Sequence, residues 1–592
     1  MEPELTPGGI EALVQQQEDD TDLLRQRMEA DYDSYRLTPY QYKDAEGSTE
    51  GYRSYTANEP RVFAERVISW LAGAPVNIRF PVDKMQKDRQ MDDQAELFLV
   101  GALSAADQYL ADMILPGVQQ QLATFVPLRG WCAGRVLLRK TVEGETQVEI
   151  MPWDPLHTYF GRGRGRLSWA CYAMDRTPDE VEAEYGSLPA KTTRGTASIR
   201  LLNYWDNQQE MVVADGEWLK EPTPHGCPRI PVFIVPVGTA PPIRSRNGQD
   251  LTYEADFGES IFAANRALYE NFNLFMSIMM TLVARSGKPP LGIPSKGGTK
   301  TLEKDPYKEG TWLSHEPGEA PKALELLTMQ ADTPALLGRI AGELQRGSLP
   351  YSVFGELAFQ LSGFAINSLR SGVDAILKPR LLAMETAYRQ ICRLLLEQFA
   401  TGRFRPIMLQ GYSRSNDWFE RPFQPSEIGV ARIPEVRIVP VLPQDEAGKV
   451  AMAQMLREGK QGPILPLREI LSNILGVQNV DAILDALKEE KAETLSPIAA
   501  LWTMIQALQN MGRNDLVEIY KADLKKLVLA MLQVPGGAPP GGPGAVPQAG
   551  LEQPPTLPPQ VLPNAEMGVP PPEPVPQGPL PLVPPGQPRP GA

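Results

Sequence analysis

The sequence predicts an α+β protein that is predominantly helical, and three observations carry that expectation. Most of the 592 residues lie in segments whose apolar positions recur at three- and four-residue steps, the period of an amphipathic helix. Between residues 131 and 240 that period gives way to short β-branched and aromatic runs bounded by Gly, Pro and Asp, which is strand chemistry. After Val534 the composition collapses into Pro and Gly. Such a stretch cannot bury enough apolar surface to offset its ordering entropy, so a disordered or polyproline-like tail is expected over 534–592.

Bulk composition narrows the function. A hydrophobic content of 42% with 22% charged residues is that of a globular chain, and the length implies several domains. A net charge of −14 argues against broad phosphate-neutralising binding of nucleic acid. It leaves room for DNA that passes close by without being gripped, and it also serves solubility. The four cysteines, Cys132, Cys171, Cys227 and Cys392, form no CxxC pair, so neither a zinc knuckle nor a redox dithiol is expected. Free thiols fit a reducing cytosol. No signal-peptide pattern opens the chain, so secretion is not expected. The apolar run LFMSIMMTLVA (274–284) is short of the ~20 residues a membrane span requires, and it reads as a helix face packed on protein.

The elements follow in order. Residues 10–35 carry a polar helical pattern with Leu13, Leu23, Leu24 and Met28 on a thin stripe, a peripheral helix. A second helix opens at Asn58, a good N-cap, with Pro60 close behind. Its face is Val62, Phe63, Val67, Ile68 and Leu71. Gly73-Ala74-Pro75 stops it, and VNIRFPV follows as a strand. Residues 91–125 form a long helix broken at Pro116-Gly117. Strands are expected in WCAGRVLLRKTV, TQVEIMPW, LSWACYAMD, SIRLLNYWD, QEMVVAD and RIPVFIVPVG, interrupted by a helix over 178–186. From 252 to 284 Ile261, Leu268, Phe275 and Leu282 recur every seven residues as a packing seam. Residues 286–322 break the pattern with Gly, Pro and Lys. A run that long is usually functional or holds hidden structure. A helix starts near Asp332. A nearly neutral, Gly-broken stretch, GSLPYSVFGELAFQLSGFAINSL (347–369), precedes a long helix over about 366–399 with a kink at Lys378-Pro379. VRIVPVL (436–442) reads as a strand, and 445–532 as several short helices.

Catalytic signatures are sparse. His157, His225 and His315 stand far apart, beside Pro or in turns, and no HExxH, Walker A or GxSxG pattern occurs. Residues 161–166, GRGRGR, mimic a phosphate loop but lack GxGxxG spacing and open no helix. They read as a flexible basic hairpin tip that in principle could touch RNA or DNA. Trp131, Trp153, Trp169 and Trp205 read as core. No cofactor is expected, and the protein is not expected to be an enzyme, although a carboxylate-dependent hydrolase would leave no short signature.

The order of these segments resembles the portal proteins (head-to-tail connectors) of tailed bacteriophages. NEPRVFAERVISWLAGAPVNI (58–78) resembles the helix before a short strand near the start of that family's body. PTPHGCPRIPVFIVPVG (222–238) resembles the turn and strand ahead of its first stem helix. GSLPYSVFGELAFQLSGFAINSLRSGVDAILKPRLLAMETAYRQI resembles its tunnel loop and the following wing helix. The likeness covers roughly residues 50 to 530 and rests on the order more than on any single motif. The Pro-rich tail departs from the family's shared core.

The resemblance implies a wing, stem, clip and crown architecture in a ring oligomer. After an N-terminal peripheral segment (1–50), residues 51–251 correspond to an α+β wing and 252–285 to the first stem helix. Residues 286–325 correspond to the clip, 326–347 to the second stem helix and 348–365 to the tunnel loop. Residues 366–444 return to the wing, 445–533 form a helical crown, and the tail follows. It further implies a ring of twelve copies at one capsid vertex of the virion, assembled in the host cytoplasm. Double-stranded DNA would be packaged through it by a terminase docked at the clip and later ejected. Partners would include the terminase large subunit, head-completion adaptor and tail proteins, the major capsid protein and a scaffold, with no membrane.

A channel must surround DNA without holding it, because each lysine facing a phosphate adds a salt-dependent attraction. Ser348, Tyr351, Ser352, Gln360 and Ser362 offer weak exchangeable hydrogen bonds, and Glu356 repels phosphate. A buried helical connector is the alternative for this stretch. Lys288, Lys296, Lys300, Lys304 and Lys308 form the most basic cluster and are candidates for docking the motor or adaptor, or simply solvated loop charges. The seam of Ile261, Leu268, Phe275 and Leu282 would pack against a neighbouring subunit, or within an ordinary bundle. The competing function is a cytosolic helical scaffold recruiting partners through its Pro-rich tail.

Overall fold

The computed structural model describes residues 6–43, 46–80, 89–141, 144–163, 165–192, 195–238, 257–287, 291–292, 322–323, 333–350, 363–413, 418–428 and 433–440, scattered positions from 453 to 505, and 514–532. The chain divides into two compact units, Met1–Glu489 and Glu490–Ala592.

The first unit opens with two helices where one is expected. α1 (Pro7–Asp20) and α2 (Asp22–Arg36) meet at Thr21, whose hydroxyl donates back to the Gln17 carbonyl at 2.6 Å. That bond competes with the helical ladder and marks the break. Leu24 and Met28 are buried as expected, while Leu23 is exposed. α3 (Glu59–Ala72) buries Phe63, Val67, Ile68 and Leu71. Val62, assigned to the same face, is instead exposed. β1 (Val76–Arg79) follows. The long helical segment is split as predicted into α4 (Arg89–Asp112) and α5 (Val118–Arg129). Asp107 of α4 accepts from the Val118 N–H at 2.7 Å, satisfying a donor at the start of α5.

The strand region holds all six expected strands and two more. β2 (Trp131–Lys140), β3 (Thr146–Trp153), β4 (Thr158–Arg162) and β5 (Leu167–Arg176) precede α6 (Pro178–Tyr185), which opens on a Thr177–Glu180 capping box. β6 (Ile199–Trp205), β7 (Gln209–Ala214), β8 (Glu217–Pro224) and β9 (Val232–Pro236) complete the set. β4 to β8 form an antiparallel meander in sequence order, and β3-β2-β9 form a second sheet. β9 covers β2 only from Trp131 to Arg135. Beyond that point the buried Gln398 carboxamide takes over the edge. It accepts from the Leu138 N–H at 3.0 Å and donates to the Val136 carbonyl at 2.8 Å. A side chain thus supplies the bonds a fourth strand would.

Next come α7 (Arg266–Gly287), the two-residue pair β10 (Leu291–Gly292) and β11 (Lys322–Ala323), and α8 (Thr333–Arg346). α9 (Gly363–Phe399) matches the predicted long helix and contains Pro379. α7 starts later than expected. Residues 257–265 are irregular because Gly258, at φ +84°, lies against Gly130 so closely that a Cβ would overlap the Gly130 carbonyl. A hairpin, β12 (Ile407–Tyr412) and β13 (Trp418–Phe423), was not foreseen. β14 (Glu435–Ile438) pairs antiparallel with β1, so the two expected outlying strands meet each other. The main core gathers α3, α4, α5, α9 and one face of the β2 sheet. Phe98 of α4 and Phe399 of α9 stack at 4.6 Å inside it. In the second unit the one long described helix is α10 (Asn514–Leu532). The Pro-rich tail lies outside the described residues.

Candidate functional site

The region built around α7 joins the segments that the sequence marks as functional. Its foot is fixed by arginines. Arg266 makes a bidentate pair with Asp31 of α2, both N···O distances 2.7 Å, and Asp31 is buried. Hydrogen bonding to Asp31 raises the Arg266 pKa above its ordinary value. Arg380 of α9 donates to the carbonyls of Ser260 (3.1 Å) and Ile376 (3.0 Å). Burial pushes its guanidinium below the ordinary value. Arg129, at the end of α5, donates to the Met28 carbonyl at 2.9 Å and to Asp154 at 3.0 Å. α2 and α9 therefore hold the point where α7 leaves the body, and breaking one buried pair would leave a charge uncompensated.

The same foot clamps the end of α8. Asn265, 1% exposed, donates from Nδ2 to the Leu344 carbonyl at 2.7 Å. Gly347 lies so close to this amide that a Cβ there would overlap Asn265 Oδ1. Leu349 is buried in the main core. Ser348 donates to the Leu344 carbonyl at 2.8 Å. Its hydroxyl proton is thus committed to its own helix end, and the exchangeable donor expected there is taken. Residues 347–350 anchor the entry of the neutral stretch.

Above the foot, α7 is covered by a strap that the sequence analysis did not identify. Residues 52–57 are without regular structure and lie along the helix. The N–H groups of Ala57, Tyr55 and Arg53 donate to Asn273 Oδ1 (2.8 Å), Ser277 Oγ (2.9 Å) and Thr281 Oγ1 (2.9 Å). The registers match because four helical residues rise about 6 Å while two extended residues span about 6.5 Å. A polar residue every fourth position in an otherwise apolar helix was the available signal. The resemblance instead places these residues at the start of the α+β wing (51–251).

The seam residues occupy another flank. Ile261 is buried but precedes the helix, so it is not part of a continuous stripe. Leu268 packs half-buried on the main core, and Phe275 and Leu282 are half-buried. At 100° per residue, Leu274, Phe275, Ile278 and Leu282 share an arc of about 100°. Leu274 and Ile278 on that arc are exposed. By length and composition α7 is also apolar enough to cross a membrane, a property that the 11-residue run alone did not reveal. Its strapped side, however, is lined by Asn273, Ser277 and Thr281. The loop candidates Tyr351, Ser352, Glu356, Gln360 and Ser362 lie outside the described residues, as do Lys288, Lys296, Lys300, Lys304 and Lys308.

His225 is held by local hydrogen bonds. His225 Nδ1 accepts from the Cys227 N–H at 2.9 Å, and Nε2 lies 3.1 Å from the Asp206 carbonyl. His157 is exposed at a turn, and His315 lies outside the described residues. Burial pushes the Cys132 and Cys392 thiols up to about 12 and Cys227 to about 11. All three are protonated and unreactive near neutrality.

No family model matches the chain. No curated protein matches it either. Among solved structures, it is similar to a chain of the structure described as "Virion of native gene transfer agent (GTA) particle", with a TM-score of 0.36 and 13% identity. The match covers 73% of this chain and 94% of that one.

Proposed function

We propose that the chain is a portal subunit: copies of it form a ring, twelve in the particle, whose central channel carries double-stranded DNA. In this reading α7 and α8 are stem helices, the segment closed at its neck by β10 and β11 is the clip, and residues 348–365 are the tunnel loop. A terminase motor docks at the clip during packaging. Adaptor and tail proteins later replace it, and the major capsid protein and a scaffold surround the wing. The protein does no chemistry and needs no cofactor or membrane, and it resides at one vertex of the virion.

The observation that most supports this reading is the construction of α7. The helix is pinned at its foot, strapped along a polar line, and left with an apolar arc that includes exposed Leu274 and Ile278. Such an arc is costly on an isolated chain and is covered when stems pack side by side in a ring. Light scattering and negative-stain imaging of the full chain test it. The expected result is a ring with a central hole, and a monomeric species without altered melting for the Leu274→Glu/Ile278→Glu variant. A wild-type chain that stays monomeric under all conditions and never forms rings in images would overturn the reading.

A further inference from the structure

The Gly-Arg hairpin tip between β4 and β5 finds no role in the ring, yet the structure gives it company. Arg166 stands beside a cleft of about 290 Å³ that it shares with Arg229, Arg393, Asn207 and Gln390. Arg229 precedes β9 and Arg393 lies on α9, so three separate parts of the chain bring arginines to one cleft.

One carboxylate faces them. Glu397 accepts from Arg229 Nε at 2.5 Å, from Arg229 Nη2 at 2.8 Å and from Arg393 Nε at 2.8 Å. Its oxygens are occupied by these bonds. They orient the two guanidiniums and leave the Nη groups of Arg393 and Nη1 of Arg229 as donors. Among the described residues, Arg166 makes no ion pair. Three positive charges against one negative leave two uncompensated, and the two carboxamides add further donors. The floor is apolar, with Ile230, Val232 and Ile234.

We propose that this cleft binds the phosphodiester backbone of nucleic acid. A phosphodiester carries one negative charge on two non-bridging oxygens, and successive phosphates along a strand give separate arginines an acceptor each. The hairpin also leaves room for a polymer. No atom lies within 4 Å of where a Cβ on Gly165 would stand. The inference goes beyond the ring reading and does not depend on it, because oligomeric state is read separately by light scattering.

The test is fluorescence anisotropy of a labelled duplex oligonucleotide with the full chain across 50–200 mM salt. Two or three neutralised phosphates predict a log–log salt slope of roughly −2 to −3. Arg166→Gln, which disturbs no ion pair, and Arg393→Gln should each lower that slope by about one. Arg61→Gln, on the exposed side of α3, should leave it unchanged. Undetectable binding at 50 mM salt, or slopes indifferent to both cleft variants, would overturn the assignment. So would displacement of the duplex by inorganic phosphate at low millimolar concentration, which would reveal a site for the free ion. Equal binding of a polyglutamate peptide with the same dependence on Arg166 would reassign the cleft to acidic protein.

Discussion

Replacing Asn273 with leucine should release the strap from α7. Leucine keeps the approximate shape of the side chain and removes the acceptor of the Ala57 N–H, now bonded at 2.8 Å. Ala57 is 2% exposed, so water cannot substitute without local opening. Leaving a buried donor unsatisfied costs about 1–3 kcal/mol. If the cost falls on local opening, the Ala57 amide should exchange with solvent roughly 5- to 150-fold faster. Arg53, at the outer end of the ladder, is exposed, so water can replace its 2.9 Å bond to Thr281. Thr281→Val should therefore accelerate exchange only a few-fold. Hydrogen exchange read by mass spectrometry over residues 50–58 measures both. If Asn273→Leu leaves Ala57 exchange within twofold of wild type and melting unchanged, the ladder does not hold the strap and the account of α7 is wrong.

Further expectations concern other contacts. Gly347→Ala should force the Asn265 amide away from the Leu344 carbonyl and cost about 1–3 kcal/mol, read as a lowered urea midpoint. Ile114 ends α4 in the left-handed region at φ 59° and is 93% exposed. Ile114→Gly should relieve about 1–2 kcal/mol of strain against about 0.5–1 kcal/mol of chain entropy, so the midpoint should rise rather than fall. Burial alone would raise the pKa of Glu18, but hydrogen bonds from Arg200 and Tyr159 outweigh it and hold the carboxyl below its ordinary value. The resulting stability is present above the unfolded pKa and lost as pH falls through the folded one. Melting of Glu18→Gln between pH 3 and 7 should accordingly show a shallower acid decline than wild type. In the ring reading, Gln360→Lys/Ser362→Lys should impair DNA packaging while rings still assemble, and normal particle yield would count against the loop assignment.

Local pattern carried much of the fold. The break at Pro116-Gly117, the six strands and the long helix through Pro379 are set by turn chemistry and periodicity within a few residues, so they were readable. What escaped depended on partners far away in sequence. The strap has no period of its own, and its bonds go to side chains more than 200 residues later. The start of α7 is set by Gly258 meeting Gly130, a contact no window contains. The β12–β13 hairpin does alternate, with Ile407 and Leu409 inward and Met408 and Tyr412 outward, and that signal was available. The clustering of Arg166, Arg229 and Arg393 could not be seen, because only the fold brings a hairpin tip, a strand entry and a helix together.

The pairing of β1 with β14 has a consequence for biogenesis. Residues 76–79 find their partners only at residues 435–438. At about 5–20 residues per second, translation keeps the early strand waiting on the order of tens of seconds. During that interval its unpaired edge is open to other nascent chains on the same messenger, so chaperone cover and expression temperature should govern the yield of soluble protein.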